Sequence, residues 1–253
     1  MTDPLLEKLR FFLKDTIRRH TDFSRTDQNR GVPAPPIEKP WPPDAARIAL
    51  PPVRPGESTP ACDLAGAIAR RRSRRDFLPE PVSLETLSFL LWATQGIRQV
   101  LDRGHALRTV PSAGCRHALE TYLCALNVAG LDPGIYRYLP LEHELLPVSR
   151  EDNPAAQLVA AALGQPCLGR AAVTFLWTVI PYRMEWRYGQ AAHKVIALDA
   201  GHVCQNLYLA CEAAGLGTCA VAAYDQEAMD RLLGVDGEEE FVIYLAPVGK
   251  ARD

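Results

Sequence analysis

Hydrophobic positions along this chain follow two rhythms. Leu84, Leu87, Leu90, Leu91 and Trp92 recur at helical spacing between Ser83, a suitable N-cap, and Gly96, a suitable stop, so the pattern predicts a core helix over 84–95. The longest helical pattern covers 191–214, an alanine-rich one covers 153–163, and a shorter one covers 225–233. Short apolar, β-branched runs predict strands at 120–128, 172–180 and 241–245, with a hairpin formed by 134–138 and 144–148 through Pro140 to His143. No repeat period is present, which excludes a solenoid.

Ahead of this regular region the rhythm changes. Leu5 to His20 is amphipathic, interrupted by Glu7, Lys8, Arg10, Lys14 and Asp15, and 20–60 carries Pro33, Pro35, Pro36, Pro40, Pro42, Pro43, Pro51, Pro52 and Pro55. That segment is extended rather than helical. Its Ile37, Trp41, Ile48, Leu50 and Val53 favour an ordered arm, laid across the body or across a partner subunit, which argues for a dimer. The expected organisation is an N-terminal helix and arm over 1–60 and one main domain over 61–253.

Composition narrows the class. A chain of 253 residues with 47% hydrophobic content can bury one substantial core. The net charge of −2 gives no general bias toward nucleic acid. Seven cysteines without a Cys-x-x-Cys pair, several inside apolar runs, read as reduced thiols in a cytoplasmic protein. No stretch has the length of a membrane span or the form of a signal peptide, so no membrane partner is expected.

Candidate chemistry begins at Arg70-Arg71-Arg72-Ser73-Arg74-Arg75, five guanidiniums in six residues. Such a cluster repels itself unless a dianion such as phosphate sits among the cations. The alternative is a solvated basic end to a short helix over 63–69 entered through Thr59-Pro60, and the cluster alone leaves both open. Gly215-Leu216-Gly217 follows a helix and precedes a strand, the reverse of a dinucleotide fingerprint, and Gly215 reads as a helix C-cap. Ser112 lacks the Gly-x-Ser-x-Gly elbow of a serine hydrolase, and neither Cys115 with His117 nor His202 with Cys204 has ligand spacing for zinc, so no metal is expected. Asp199, His202 and Asn206 share one helix face, where an Asp199–His202 hydrogen bond within a core or dimer interface is preferred to catalysis.

Taken in order, Arg71-Arg72-Ser73-Arg74-Arg75-Asp76-Phe77, Pro111-Ser112-Ala113-Gly114, Leu198-Asp199-Ala200-Gly201-His202, Gln205-Asn206-Leu207, Gly215-Leu216-Gly217 and Pro247-Val248-Gly249-Lys250 resemble the nitroreductase superfamily over about 62–250. Arg116-His117-Ala118-Leu119-Glu120, Pro133 to Tyr138 and Trp186-Arg187-Tyr188-Gly189 resemble most its SagB-type dehydrogenase branch.

The resemblance implies an α+β fold, a central mixed or antiparallel sheet flanked by helices, and an FMN-dependent oxidoreductase that is a homodimer with flavin at the interface. Carried over residue by residue, Arg71, Arg72, Ser73 and Arg75 contact the phosphate and ribityl chain, with Arg74 pointing elsewhere. Lys250 closes the phosphate site with Arg252 as a substitute, Pro111, Ser112, Ala113 and Gly114 line the ring, and Gly217 and Ala220 flank its other side. The branch pairs a lysine with a tyrosine for proton removal; here Arg187 and Tyr188 occupy those places, and a guanidinium stays protonated. Three activities follow as expectations: oxidation of a peptide azoline or small biosynthetic intermediate through flavin N5, an NAD(P)H-dependent nitro or quinone reductase, and a flavin-binding protein without turnover.

Overall fold

The computed structural model describes residues 3–57, 60–149 and 153–252. Thr59, the expected entry to the first core-side helix, lies outside them. Seven strands form one antiparallel sheet: β1 (Ile48–Ala49), β2 (Leu119–Ala125), β3 (Gly134–Leu139), β4 (Glu144–Ser149), β5 (Val173–Val179), β6 (Gly217–Thr218) and β7 (Phe241–Gly249). Their spatial order is β1-β4-β3-β2-β5-β7-β6, so β2 and β5 lie at its centre. Both are buried along their whole length, which is why each reads as a continuous apolar run rather than an alternating one.

Alternation still sorts their side chains between two layers. Leu119, Leu123, Phe175 and Trp177 face α3 (Leu84–Gln95) and the long α7 (Ala192–Ala213), together with Leu90, Val203 and Leu207. Tyr122, Cys124 and Leu176 face α4 (Pro154–Ala161), α5 (Pro166–Arg170) and α8 (Gln226–Leu233), where they meet Leu158, Leu168 and Met229. Each fully buried Leu or Phe in these layers contributes roughly 1.5–3 kcal/mol relative to exposure.

Helix ends follow the side chains available. Ser83 Oγ accepts from Thr86 N to start α3, and Asp63 accepts from Ala65 N and Gly66 N to start α2 (Leu64–Arg70). Gly215, with φ +67°, closes α7: its N–H reaches Glu212 O and Leu216 N reaches Cys211 O, the paired bonds of a Schellman stop. The chain therefore uses Gly215 as a cap.

The arm is ordered and lies on its own body. Ile48–Ala49 pairs with β4, Lys39 N donates to Glu120 Oε1 at 2.8 Å, and Arg108 donates to Ile37 O at 2.8 Å. Ahead of it α1 (Pro4–Leu13) buries none of its residues, leaving Leu5, Leu9 and Leu13 more than half exposed. Elements that were not expected include the short α5, a hairpin of Ile97–Asp102 with His105–Arg108, and the short α6 (Tyr182–Tyr188), which Tyr188 ends. No helix among the described residues is long and apolar enough to cross a membrane.

Candidate active site

Three segments distant in sequence converge at the β6 end of the sheet. Arg74 N donates to Thr218 O at 2.9 Å with Ser73 bridged to Thr218, while Leu78 N donates to Lys250 O and Arg252 N donates to Asp76 O. Arg71–Phe77, Gly215–Ala220 and Lys250–Arg252 thus form one strap. Gly217 sits at its tightest point, where a Cβ would come within 2.8 Å of Ala251 Cβ and 2.9 Å of Arg74 Cβ.

Tyr208, on α7, ties the strap to the helix layer. Its hydroxyl shares a 2.9 Å hydrogen bond with Ser73 Oγ and accepts from Ala220 N at 2.8 Å, and the Arg71 guanidinium lies 5.2 Å from its ring. Arg74 turns away to a salt bridge with Glu212. Arg71, Arg72, Arg75 and Lys250 have no ion pair among the described residues, and the buried Thr218 Oγ1 has no hydrogen-bond partner there. A group of cations left uncompensated, beside an orphaned hydroxyl and backbone amides, fits a dianionic phosphate.

The loop from Pro111 to Gly114 is assembled elsewhere on the same helix. Ser112 Oγ donates to Asp199 Oδ2 at 2.6 Å and accepts from His117 N at 2.9 Å, while Ala113 N lies 3.3 Å from the same carboxylate oxygen. These bonds hold a backbone in which Gly114, Cys115 and His117 have φ of +60°, +55° and +45°, two of them non-glycine. Burial pushes the Asp199 carboxyl up, against Ser112, Ala113 and His202, which favour its ionised form.

The expected Asp199–His202 hydrogen bond is not formed. His202 Nδ1 stands 3.9 Å from Asp199 with its side chain 52% exposed, because α7 turns that flank outward, and Asn206 donates to Ala93 O instead. Asp199 spends its acceptors on the loop.

Arg187 and Tyr188 meet this loop. A Cβ on Gly114 would fall 2.6 Å from Arg187 Cδ and 2.8 Å from the Tyr188 hydroxyl oxygen, so only glycine permits their approach. Behind them lies a buried set: Arg183 pairs with Glu120 at 2.5 Å, Arg116 stacks 4.7 Å from the Trp186 ring centroid, and burial with neighbouring guanidiniums brings His117 down to about 3, leaving it neutral.

The strap and the loop are anchored apart on α7. Ser73 is anchored at Tyr208 and Ser112 at Asp199, nine residues apart, or about 13 Å along the helix. An apolar groove of about 760 Å³ runs along α7 against α2 and α3, lined by Leu64, Ala67, Trp92, Ala93, Asn206 and Thr109. Tyr208 and Asp199 were not assigned to the site from sequence: nine residues apart they project from opposite sides of α7, and no single-face periodicity links them. Among the described residues no group of three or more His, Cys, Asp or Glu side chains is arranged to hold a metal.

Residues 68–250 match the nitroreductase family model. A nitroreductase-family protein of Methanocaldococcus jannaschii is 32% identical over 187 residues, covering 74% of this chain and 90% of its own. The trifolitoxin-processing protein TfxB of Rhizobium leguminosarum bv. trifolii is 25% identical over 63% of this chain, which spans 45% of that protein's length. Among solved structures, one from Ralstonia eutropha described as a nitroreductase superposes with a TM-score of 0.67 at 27% identity, covering 87% of this chain and 99% of that one. The chain belongs to the nitroreductase family, in its SagB-type branch.

Proposed function

We propose that this nitroreductase-family oxidoreductase is FMN-dependent and oxidises a peptide azoline or a small biosynthetic intermediate. The observation that carries the reading is the strap: the segments bearing Arg71, Arg72, Arg75 and Lys250 converge with those of Ser73, Gly217 and Ala220, and these four cations lack carboxylate partners among the described residues. Ser73 and these cations would hold the phosphate, and Pro111 to Gly114 would face the ring. Bound there, FMN supplies a two-electron acceptor for hydride.

The remaining work falls to the chain. The Tyr188 hydroxyl, beside Gly114, would hold or pass the proton that leaves with substrate oxidation, and Arg187, permanently charged, serves as a fixed cation rather than a base. Asp199 orients the loop through Ser112. The separation of strap and loop, together with an apolar groove along α2, α3 and α7 and with Leu64 and Ile68 of α2 63% and 57% exposed, supports a homodimer that covers the groove and completes each flavin site.

Arg187 in the place of lysine favours a second reading, an NAD(P)H-dependent nitro or quinone reductase, which needs no lysine base. The visible spectrum of the purified protein tests the cofactor: a colourless protein that takes up no added FMN overturns it. Loss of two hydrogens from an azoline peptide under oxygen supports the first activity, and NAD(P)H oxidation with a quinone supports the second.

A further inference from the structure

The arm reaches the segment that carries Arg187 and Tyr188. Gln28 N donates to Trp186 O and Trp186 Nε1 donates to Val32 O, both at 2.9 Å, while the Tyr182 hydroxyl donates to Asp27 Oδ2 at 2.8 Å. Gly189 packs between the methyls of Thr21 and Thr26, each 3.7 Å from where its Cβ would stand. Within this clasp Arg187 Nη1 donates to Gln28 Oε1 at 3.2 Å, and the guanidinium carbon lies 5.6 Å from the Tyr188 ring centroid. An amide thus fixes the guanidinium without neutralising it.

The carboxylates around it are engaged elsewhere. Glu185 pairs with His193 at 2.8 Å, Asp27 accepts from Tyr182 and faces Arg30, Asp102 pairs with His105 at 2.8 Å, Asp199 holds Ser112, and Glu120 pairs with Arg183. Behind Arg187, Arg116 is buried and donates only to the carbonyls of Arg183 and Gly104, with its Nη2 unpartnered. Arg116, Arg183 and Arg187 therefore share one directly paired carboxylate, Glu120, among the described residues. Three guanidiniums with one countercharge leave a positive potential beside the Pro111–Gly114 loop. A half-buried guanidinium with free donors in a fixed fork matches a carboxylate bidentately.

We infer that Arg187, oriented by Gln28 of the arm, binds a carboxylate of the substrate, so that this site takes anionic molecules in preference to neutral ones of the same shape. The inference rests on the reading of the loop as the flavin-ring side and deepens it. It gives the lysine-to-arginine departure a role: the position anchors substrate instead of removing a proton.

Isothermal titration of the purified protein, incubated with FMN and freed of unbound flavin, with 4-nitrobenzoate and 4-nitrobenzamide, alike in shape and different in charge, tests it. The benzoate is expected to bind about tenfold more tightly at low salt, the scale of one charge-assisted pair, with the advantage shrinking as salt rises. Arg187→Gln removes the preference, Arg187→Lys keeps part of it, and Gln28→Ala weakens it by a few-fold while leaving the melting transition cooperative. Equal affinities in the unaltered protein, no measurable benzoate binding, or a preference that survives Arg187→Gln would each overturn the inference. Flavin absorbance on the same samples separates the two readings: a yellow protein without anion preference refutes this inference alone, and a colourless one that still prefers the anion refutes the flavin assignment alone.

Discussion

Replacing Asp199 tests whether the loop that meets Arg187 and Tyr188 is held from α7. Asp199 is 6% exposed, and its carboxylate receives the Ser112 hydroxyl at 2.6 Å and lies within reach of Ala113 N. A hydrogen bond to a charged acceptor is worth about 1.5–3 kcal/mol net. The same clasp, through Ser112 to His117 N, restrains Cys115 and His117 in left-handed backbone that costs on the order of 1–3 kcal/mol per residue. Asp199→Ala removes the acceptor and lets the loop relax toward ordinary dihedrals, so part of the lost bond is recovered as released strain; about 2 kcal/mol of net destabilisation remains. For a protein of this size that corresponds to a fall in melting temperature of about 4–8 °C. Asp199→Asn retains an oxygen acceptor and relieves the cost of burying charge, so its loss should stay under about 1 kcal/mol. Because the strap is anchored separately at Tyr208, flavin content should persist in both variants while turnover drops at least about tenfold in the alanine protein, since a displacement of 1 Å at a reacting centre can cost more than that. Melting followed by circular dichroism, together with the visible spectrum and steady-state rate, reads all three. An alanine variant that melts within 1 °C of the parent and turns over at the same rate would refute the clasp; one that loses flavin would refute the separation of loop and strap.

Four further outcomes are expected. Arg71→Ala with Arg75→Ala should abolish copurifying FMN and leave a cooperative melt, and full flavin absorbance in that variant would sink the phosphate assignment. Tyr188→Phe should slow substrate oxidation or flavin reduction without flavin loss, read by stopped-flow absorbance, and unchanged rates would remove its hydroxyl from the reaction. Glu120→Ala leaves Arg183 unpaired and removes the acceptor of Lys39 N, so it should destabilise by about 3–5 kcal/mol in denaturant titration; a loss under about 1 kcal/mol would contradict the pairing. Burial, with Glu142 and Glu120 adding like charge, raises Glu38 to about 7, so the folded state favours its neutral form and its contribution to stability declines as pH rises from the ordinary carboxyl value of 4.5 through 7; Glu38→Gln should therefore gain about 1–2 kcal/mol relative to the parent between pH 5 and 8, after allowance for solvent screening, and a gap independent of pH would exclude that cause.

Elements whose signal is local were legible in the sequence. Ser83 and Gly96 bound α3 because a cap is a contact across three or four residues, and β5 reads as apolar throughout because both layers cover it. The last strand was expected to stop at Leu245 but continues to Gly249 through Pro247. Leu245 and Gly249 pair outward with Val221 and Gly217, so two residues from each the absent N–H of Pro247 falls on the outer edge, where proline is tolerated. The hairpin at Ile97–Asp102 was hidden because five of its six positions, Arg98 to Asp102, are exposed and carry no core-facing alternation.

The site divides the same way, and the division explains what each method can reach. A cluster such as Arg70 to Arg75 marks a candidate anion site by composition, since five like charges repel unless a partner or solvent relieves them. Asp199 and Gln28 announce nothing: an aspartate three residues from a histidine on one helix invites a local pairing, and a glutamine in a proline-rich arm has no periodicity to mark it. Both act across long stretches of chain, on Ser112 and on Arg187, and their assignment comes from which donors the fold leaves facing which acceptors. The arginine that departs from the branch's lysine is the clearest case. From sequence it is only the loss of a base, whereas in the fold it is a cation held by the Gln28 amide beside the loop, and that placement is what supports our proposal that it recognises substrate rather than deprotonating it.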